Sequence, residues 1–146
     1  MEEYSELWND FAYKYNDKLE RGCGGDWGKL NETEQEIAAL WKLGADLFNE
    51  GFLEFFVNWG YDCYTYAMRG IERVGCIKLY KLLDKAYKKV FEKFQDDKSI
   101  TSYEDILPQL TERDEEILED VFEKFDEEYG EELCEAAYKF YGCKAD

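Results

Sequence analysis

The segment TERDEEILEDVFEKFDEEYGEELCE, residues 111–135, carries thirteen carboxylates and two cations, Arg113 and Lys124, and therefore a net charge of −11. Disordered acidic tails have no helical apolar stripe, because they bury nothing. Here the apolar residues do recur at helical spacing, at Ile117, Leu118, Val121, Phe122, Phe125 and Tyr129. The pattern predicts a folded helix with a densely negative outer face, and Thr111 with Asp114 supplies a capping signal at its start.

Helical periodicity recurs along the rest of the chain and predicts an all-α fold. We expect a single acidic domain over residues 1–146, built as a bundle of about seven helices, several of them short. The predicted helices cover 2–20, 31–50, 52–59, 62–73, 76–95, 111–129 and 133–141. Residues 95–110 are interpreted as a linker, because Pro108 forbids regular helix through its end. Gly130 is expected to break the acidic helix.

The composition argues against several classes of function. With 35 acidic and 18 basic residues the net charge is −17, so nucleic acid and anionic membranes are not expected as direct partners. The chain has no histidine, which removes the usual general base and the commonest transition-metal ligand. We therefore predict a protein that is not an enzyme, with no catalytic residue, no cofactor and no metal site.

Cysteine usage and hydropathy indicate a compartment. Five cysteines, an odd number without a Cys-x-x-Cys pair, are typical of reduced thiols, several of them buried. Residues 1–20 lack the basic and apolar regions of a secretory signal. No apolar run approaches the roughly 20 residues that span a bilayer. We expect a cytoplasmic protein.

The outward side of the acidic helix supplies the candidate contact residues, here called the acidic row: Glu116, Glu119, Asp120, Glu123, Asp126 and Glu127. At roughly 1.5 Å rise per residue, the segment spans about 37 Å and carries about one net charge per 3.4 Å. This value is close to the phosphate spacing along one strand of B-DNA. Like charges one turn apart destabilise a helix, so folding alone does not favour so many. The alternative interpretation is a solvated face that keeps the protein soluble.

Residues 76–95 carry the opposite charge, with lysines at Lys78, Lys81, Lys85, Lys88, Lys89 and Lys93. One interpretation is a patch that binds anions or nucleic acid. The other is a solvated face, or neutralisation of the acidic surface within the molecule. The aromatic residues of this helix fall mostly on its apolar side, where the core takes them, so the second interpretation is favoured.

A densely aromatic corner, NEGFLEFFVNWG at residues 49–60, joins two predicted helices. Gly51 permits a tight break, and the amides of Asn49 and Asn58 can bond exposed groups at helix ends. The corner resembles the Asn-Gly-Gly-Phe-x-Gln-Phe-Phe-x-Asn-x-x-Gly signature of a family of small acidic bacterial proteins, formerly a domain of unknown function and now typified by a DNA-mimic protein. The matching residues are Asn49, Gly51, Phe52, Phe55, Phe56 and Asn58.

The resemblance extends over about residues 30–142. It departs from the signature at two acids, Glu50 and Glu54, where the family has Gly and commonly Gln, and its final glycine, Gly60, comes one position early. It implies an all-α fold and a mimic that occupies the DNA-binding surface of a transcription factor with its carboxylates. We therefore expect a non-enzymatic interaction protein whose partner is basic, in particular a DNA-binding protein or transcription factor. The sequence is also compatible with a homodimer.

Two other functions stay open at this point. One is an immunity or inhibitor protein that blocks a basic toxin, such as a nuclease, by the same electrostatics. The other is an enzyme that uses carboxylates alone, or carboxylates with a divalent metal.

Overall fold

The computed structural model describes residues 3–143, and within that range it contains helices and turns but no strand. The α-helices are α1 (Tyr4–Asp17), α2 (Glu32–Asn49), α3 (Phe52–Arg73), α4 (Ile77–Ala86), α5 (Glu112–Lys124) and α6 (Gly130–Ala137). The predicted all-α class is confirmed, and the number of helices is close to the predicted one. None of the helices in the described range is both long and apolar enough to cross a membrane.

The difference in helix number arises at Gly60, which lies inside α3 with φ 84° and ψ −173°. Glycine adopts this backbone conformation readily, whereas a side chain there would be strained. The helices predicted at 52–59 and 62–73 are therefore the two arms of one kinked element. Both arms bury side chains in the core, which places the aromatic corner at the centre of the protein.

Turns with wider or tighter hydrogen bonding follow four of the helices. Phe125–Tyr129 follows α5, and Tyr138–Gly142, the C-terminal turn, follows α6. Lys18–Gly22 continues α1 as a π-helical turn. Tyr87–Phe91 and Glu92–Phe94 continue α4 as a π-helical and a 3₁₀ turn. With these extensions the structure accounts for the predicted spans 2–20 and 76–95, except that residue 2 lies outside the described range.

The segment interpreted as a linker is partly ordered into helix. Tyr103–Gln109 forms a 3₁₀ helix that contains Pro108. Asp105 holds its start, because its Oδ2 accepts hydrogen bonds from the N–H groups of Thr101 and Ser102 at 2.9 and 3.2 Å, contacts between near neighbours that the sequence interpretation overlooked. The prediction that proline prevents a regular α-helix here is consistent with this tighter geometry.

The core lies where α2 and α3 pack together, with α1 on one side and α4 and α5 on the other. Phe52, Phe55 and Phe56 on the first arm of α3 are fully buried. Phe56 stacks on Phe91, with ring centroids 4.1 Å apart, and so joins α3 to the turn that follows α4. Aromatic contacts of this kind add to the stabilisation that burial of apolar area provides.

A buried carboxylate joins α2, α3 and the C-terminal turn. Glu36 is fully buried and accepts hydrogen bonds from Arg69 Nε at 2.6 Å and Tyr141 OH at 2.7 Å. It also forms an ion pair with Arg73, whose Nε lies 2.8 Å from its carboxylate. Burial, followed by the hydrogen bond to Glu36, raises the pKa of Tyr141. A buried charge is tolerated only with such partners, so these contacts hold the three segments in one arrangement.

The five cysteines are free thiols, and Cys63, Cys76 and Cys134 are buried, as predicted for several of them. Burial raises the pKa of Cys76 to about 11 and that of Cys134 to about 12. These thiols are therefore neutral at physiological pH and pack as small hydrophobic side chains.

Candidate acidic interaction surface

The helix that carries the acidic row begins at the predicted cap. Thr111 Oγ1 accepts a hydrogen bond from the Asp114 N–H at 3.0 Å, and Asp114 Oδ2 accepts one from the Thr111 N–H at 3.0 Å. The two bonds satisfy backbone N–H groups that the helix itself leaves without partners. This reciprocal capping box fixes the first turn of α5.

Asp114 differs from the other carboxylates of this segment because it is buried, with 3% of its surface exposed. Lys93 Nζ lies 2.9 Å and 2.7 Å from its two carboxylate oxygens. Burial acts to raise the pKa of Asp114, but the hydrogen bonds from Lys93 and Thr111 outweigh it and hold that pKa below its usual value. The ion pair therefore neutralises Asp114 inside the protein, and joins the basic helix to the acidic one.

The structure places all six residues of the acidic row on the solvent side of their helix. The buried side chains of this helix are Asp114, Leu118, Val121 and Phe125, at intervals of four, three and four residues. The members of the acidic row, which face away from this stripe, are all exposed: Glu116, Glu119, Asp120, Glu123, Asp126 and Glu127. The predicted helical spacing is confirmed, and the role of these residues in binding stays a prediction.

Two members of the row are partly neutralised within the helix. Arg113 Nη1 lies 3.2 Å from Glu116 Oε2, and Lys124 Nζ lies 3.1 Å from Asp120 Oδ2. Exposed ion pairs of this kind contribute little to the stability of the protein, because water and salt screen the attraction between the charges. A basic partner can therefore compete for Glu116 and Asp120 at low cost.

The acidic helix does not break at Gly130, contrary to the prediction. Gly130 has helical dihedrals, φ −62° and ψ −53°, and the π-helical turn Phe125–Tyr129 connects α5 to α6. The glycine serves close packing instead: a Cβ there would lie 2.5 Å from Phe48 Cζ and 2.9 Å from the Phe125 carbonyl oxygen. The acidic segment is thus one continuous helical run from Glu112 to Ala137.

Eleven of the thirteen carboxylates of residues 111–135 are exposed, and the other two are the buried Asp114 and the half-buried Glu135. Subtracting the two exposed cations from these eleven acids leaves a net charge of −9 between Glu112 and Glu132. At roughly 1.5 Å per residue these positions span about 31 Å, or about 3.5 Å per net charge. The spacing stays close to that of the phosphates along a DNA strand.

The lysines of the basic helix are all exposed. Lys88 pairs with Asp84 of the same helix at 3.0 Å, and Lys93 pairs with Asp114. The other four, Lys78, Lys81, Lys85 and Lys89, make no ion pair with any residue between 3 and 143. Of the lysines in the basic helix, only Lys93 therefore neutralises an acid on another described element, and the remaining ones form a solvated face.

An apolar groove that the sequence did not reveal borders the acidic row. It lies between the start of α3 and α5, and we call it the acidic groove because glutamates surround it. Leu53, Leu107, Leu110 and Phe122 supply its apolar side chains, and Glu119 of the acidic row lines it. Since three separate segments build it, only the tertiary structure could have identified it. The available hint was the pair of acids, Glu50 and Glu54, at which the corner departs from the resembled signature.

Comparison with known protein families identifies the chain's relatives. The family model of the DMP19-like proteins matches residues 28–141, well over half of the sequence. The chain belongs to the DMP19-like family. This membership confirms the resemblance drawn from the aromatic corner, and its extent agrees with the expected 30–142. No curated protein and no solved structure matches the chain significantly.

In this DMP19-like protein the signature residues have structural positions. Phe52, Phe55 and Phe56 are fully buried. Asn49 Nδ2 donates to the Ala45 carbonyl oxygen at 2.6 Å, as expected for an amide at a helix end. Asn58 differs from the expectation, because its Nδ2 approaches the Asp46 carboxylate, 3.4 Å away, instead of a backbone group. The signature therefore organises the corner and does not lie on the acidic row.

Within residues 3–143 no group of three or more His, Cys, Asp or Glu side chains is arranged to hold a metal ion. The expectations of no catalytic residue and no cofactor stay predictions, because no observation tests them.

Proposed function

We propose that this protein is a non-enzymatic, cytoplasmic interaction protein that presents a DNA-like acidic surface to a basic partner, namely a DNA-binding protein or transcription factor. The observation that carries the proposal is the continuity of the acidic helix through Gly130. Because the helix continues, its exposed carboxylates extend along one element over about 31 Å, with an average of about one net charge per 3.5 Å, which is near the phosphate spacing along a DNA strand.

The position of the acidic row supports the same function. Its six carboxylates are exposed, and the helix that bears them is fixed by a capping box and by the buried Asp114–Lys93 pair. Charges held on a rigid element lose little conformational freedom on binding, which favours association with a complementary surface. Membership in the DMP19-like family supports the proposal further, through the DNA mimicry that the resemblance implies.

The first test is capture of partners on the immobilised protein at low salt, followed by elution with increasing salt and, separately, with duplex DNA. We expect a DNA-binding protein that duplex DNA displaces and that dissociates as salt rises from about 50 to about 300 mM. A captured basic protein that is indifferent to DNA would instead favour an inhibitor of a toxin. Binding that salt leaves unchanged would contradict electrostatic mimicry.

Charge reversal then locates the surface on the protein. The variant Glu123→Lys, Asp126→Lys, Glu127→Lys changes three members of the row that make no ion pair with a described residue. We expect the affinity for the captured partner to fall about a hundred-fold or more, with helicity by circular dichroism retained. The matched control, Glu72→Lys, Glu92→Lys and Asp96→Lys, changes the net charge equally at exposed acids on other elements. Equal losses in both variants would refute the assignment of the row.

A further inference from the structure

The acidic groove beside the row has features of a binding site for more than charge. We propose that it receives an apolar side chain from a basic, amphipathic segment of the protein partner. This inference rests on the proposed function, and it adds the chemistry of the partner segment: an apolar residue flanked by lysine or arginine.

The floor of the acidic groove is apolar and open to solvent. Leu53, Leu110 and Phe122 are half-buried, and Leu107 is 48% exposed. The fully buried Phe52 and the buried Leu118 close the bottom, and the space has a volume of about 310 Å³. Such a volume is at the small end of known ligand pockets, and it suits one or two aliphatic side chains. Exposed apolar surface with a polar rim is characteristic of interaction sites.

The rim of the groove is uniformly negative. Its charged side chains are Glu50, Glu54, Glu115 and Glu119, and no cation among residues 3–143 lines it. None of these four carboxylates forms an ion pair with a residue between 3 and 143, so their charge is available to a partner. Glu119 belongs both to the rim and to the acidic row, which makes the two surfaces continuous.

The combination of floor and rim selects the occupant. An anionic or purely apolar segment would bring no charge to compensate the four desolvated carboxylates. A purely polar basic segment would leave the leucine and phenylalanine surface in water. A segment with basic residues on both sides of an apolar one would pair with the carboxylates of the rim and cover the apolar floor. Amphipathic helices that dock into grooves combine the two kinds of contact in this way.

The test uses two fluorescein-labelled synthetic peptides of equal charge. One alternates pairs of lysines with single leucines, and the other has serine in place of every leucine. We expect the leucine peptide to bind the full-length protein about ten-fold or more tightly than the serine peptide at physiological salt, because burial of one leucine accounts for a difference of that size. Equal affinities would overturn the groove proposal while leaving the electrostatic function intact. Failure of both peptides to bind at low salt would overturn both.

Variants identify the groove as the source of the difference. Leu107→Asn should remove most of the leucine peptide's advantage and leave serine-peptide binding unchanged, and Leu107 is exposed enough for the fold to tolerate the change. Ile77→Asn is the matched control, because Ile77 is an aliphatic residue of the same 48% exposure that does not line the groove. An equal effect of both substitutions would refute the assignment.

The rim is tested separately from the floor. Glu50→Gly with Glu54→Gln restores the residues of the resembled signature and should weaken both peptides with a smaller salt dependence, leaving their affinity ratio little changed. The variant Glu123→Lys, Asp126→Lys, Glu127→Lys should likewise weaken the binding of both peptides. That result tests the proposed function and not the groove. If sedimentation shows that the protein self-associates and that Leu107→Asn abolishes this, a second copy of the chain is the occupant, and the partner proposal is wrong.

Discussion

Replacing Gly130 by alanine tests the close packing of the acidic helix against Phe48. Gly130 lies at the junction of the π-helical turn with α6, and its position leaves no room for a methyl group. The new Cβ would lie 2.5 Å from Cζ and 2.6 Å from Cε1 of Phe48, and 2.9 Å from the Phe125 carbonyl oxygen. The Phe48 ring is itself held edge-on against Phe125, with centroids 4.8 Å apart, so the ring and the backbone must both shift.

The expected magnitude follows from a comparison with Gly44→Ala. Gly44 also lies inside a helix, α2, and nothing is within 4 Å of the position that its Cβ would take. Alanine is favoured over glycine in a helix by about 1 kcal/mol, so Gly44→Ala should stabilise the protein by about 0.5–1 kcal/mol. This preference cancels between the two variants. The difference in their free energies of unfolding therefore isolates the steric cost at Gly130, about 1–3 kcal/mol.

The assay is urea unfolding of both variants and the wild type, followed by far-ultraviolet circular dichroism at neutral pH. Gly130→Ala should be less stable than Gly44→Ala by the difference given above, with an unchanged dependence of the unfolding free energy on urea. A difference below about 0.5 kcal/mol would show that the site accommodates a methyl group. In that case close packing against Phe48 would not explain why residue 130 is a glycine.

Three further predictions concern the interior. Glu36→Gln should lower the free energy of unfolding by about 3 kcal/mol. This value is at the lower end of the range for breaking a buried ion pair, because the side chains of Arg69 and Arg73 are partly exposed to water. Asp114→Asn should destabilise the protein at pH 7, and less so below about pH 4. The pKa of Asp114 is lowered by folding, so its contribution is present above the unfolded value and is lost as the pH falls through the folded one. In thiol titration of the native protein Cys143 should react first, and the three buried cysteines only after unfolding.

Each of these predictions has a result that contradicts it. Wild-type stability in Glu36→Gln would show that a neutral amide serves Arg69 and Arg73 as well as the carboxylate does. An Asp114→Asn deficit that grows as the pH falls would mean that the pKa shift has the opposite sign. Rapid reaction of all five thiols in the folded protein would contradict the packing of Cys63, Cys76 and Cys134.

Local chemistry explains why much of the fold could be predicted. Capping boxes involve residues three apart, so Thr111 with Asp114 was visible in the sequence, and the structure contains that box. The exposed acidic row follows equally from the helical period, because a helix that buries one stripe must present the opposite one to solvent. Neither inference depends on what the helix packs against.

Properties that depend on distant residues were wrong or missing. Glycine is a helix breaker by local propensity, and only the approach of Phe48 from α2 shows that Gly130 is needed within a continuous helix. The sequence does not distinguish Asp114 from the exposed acids around it, and only the structure shows that it pairs with Lys93. The acidic groove takes its walls from α3, α5 and the segment between α4 and α5.

The sequence by itself determined the all-α class, the capped start of α5 and the direction in which the acidic row faces, because these follow from the spacing of neighbours along the chain. The tertiary structure alone decided that the acidic helix is unbroken, which of its carboxylates are exposed to solvent, and where apolar surface lies beside them. Packing brings together side chains whose separation along the chain carries no local signal, and burial then sets the charge and the exposure of each.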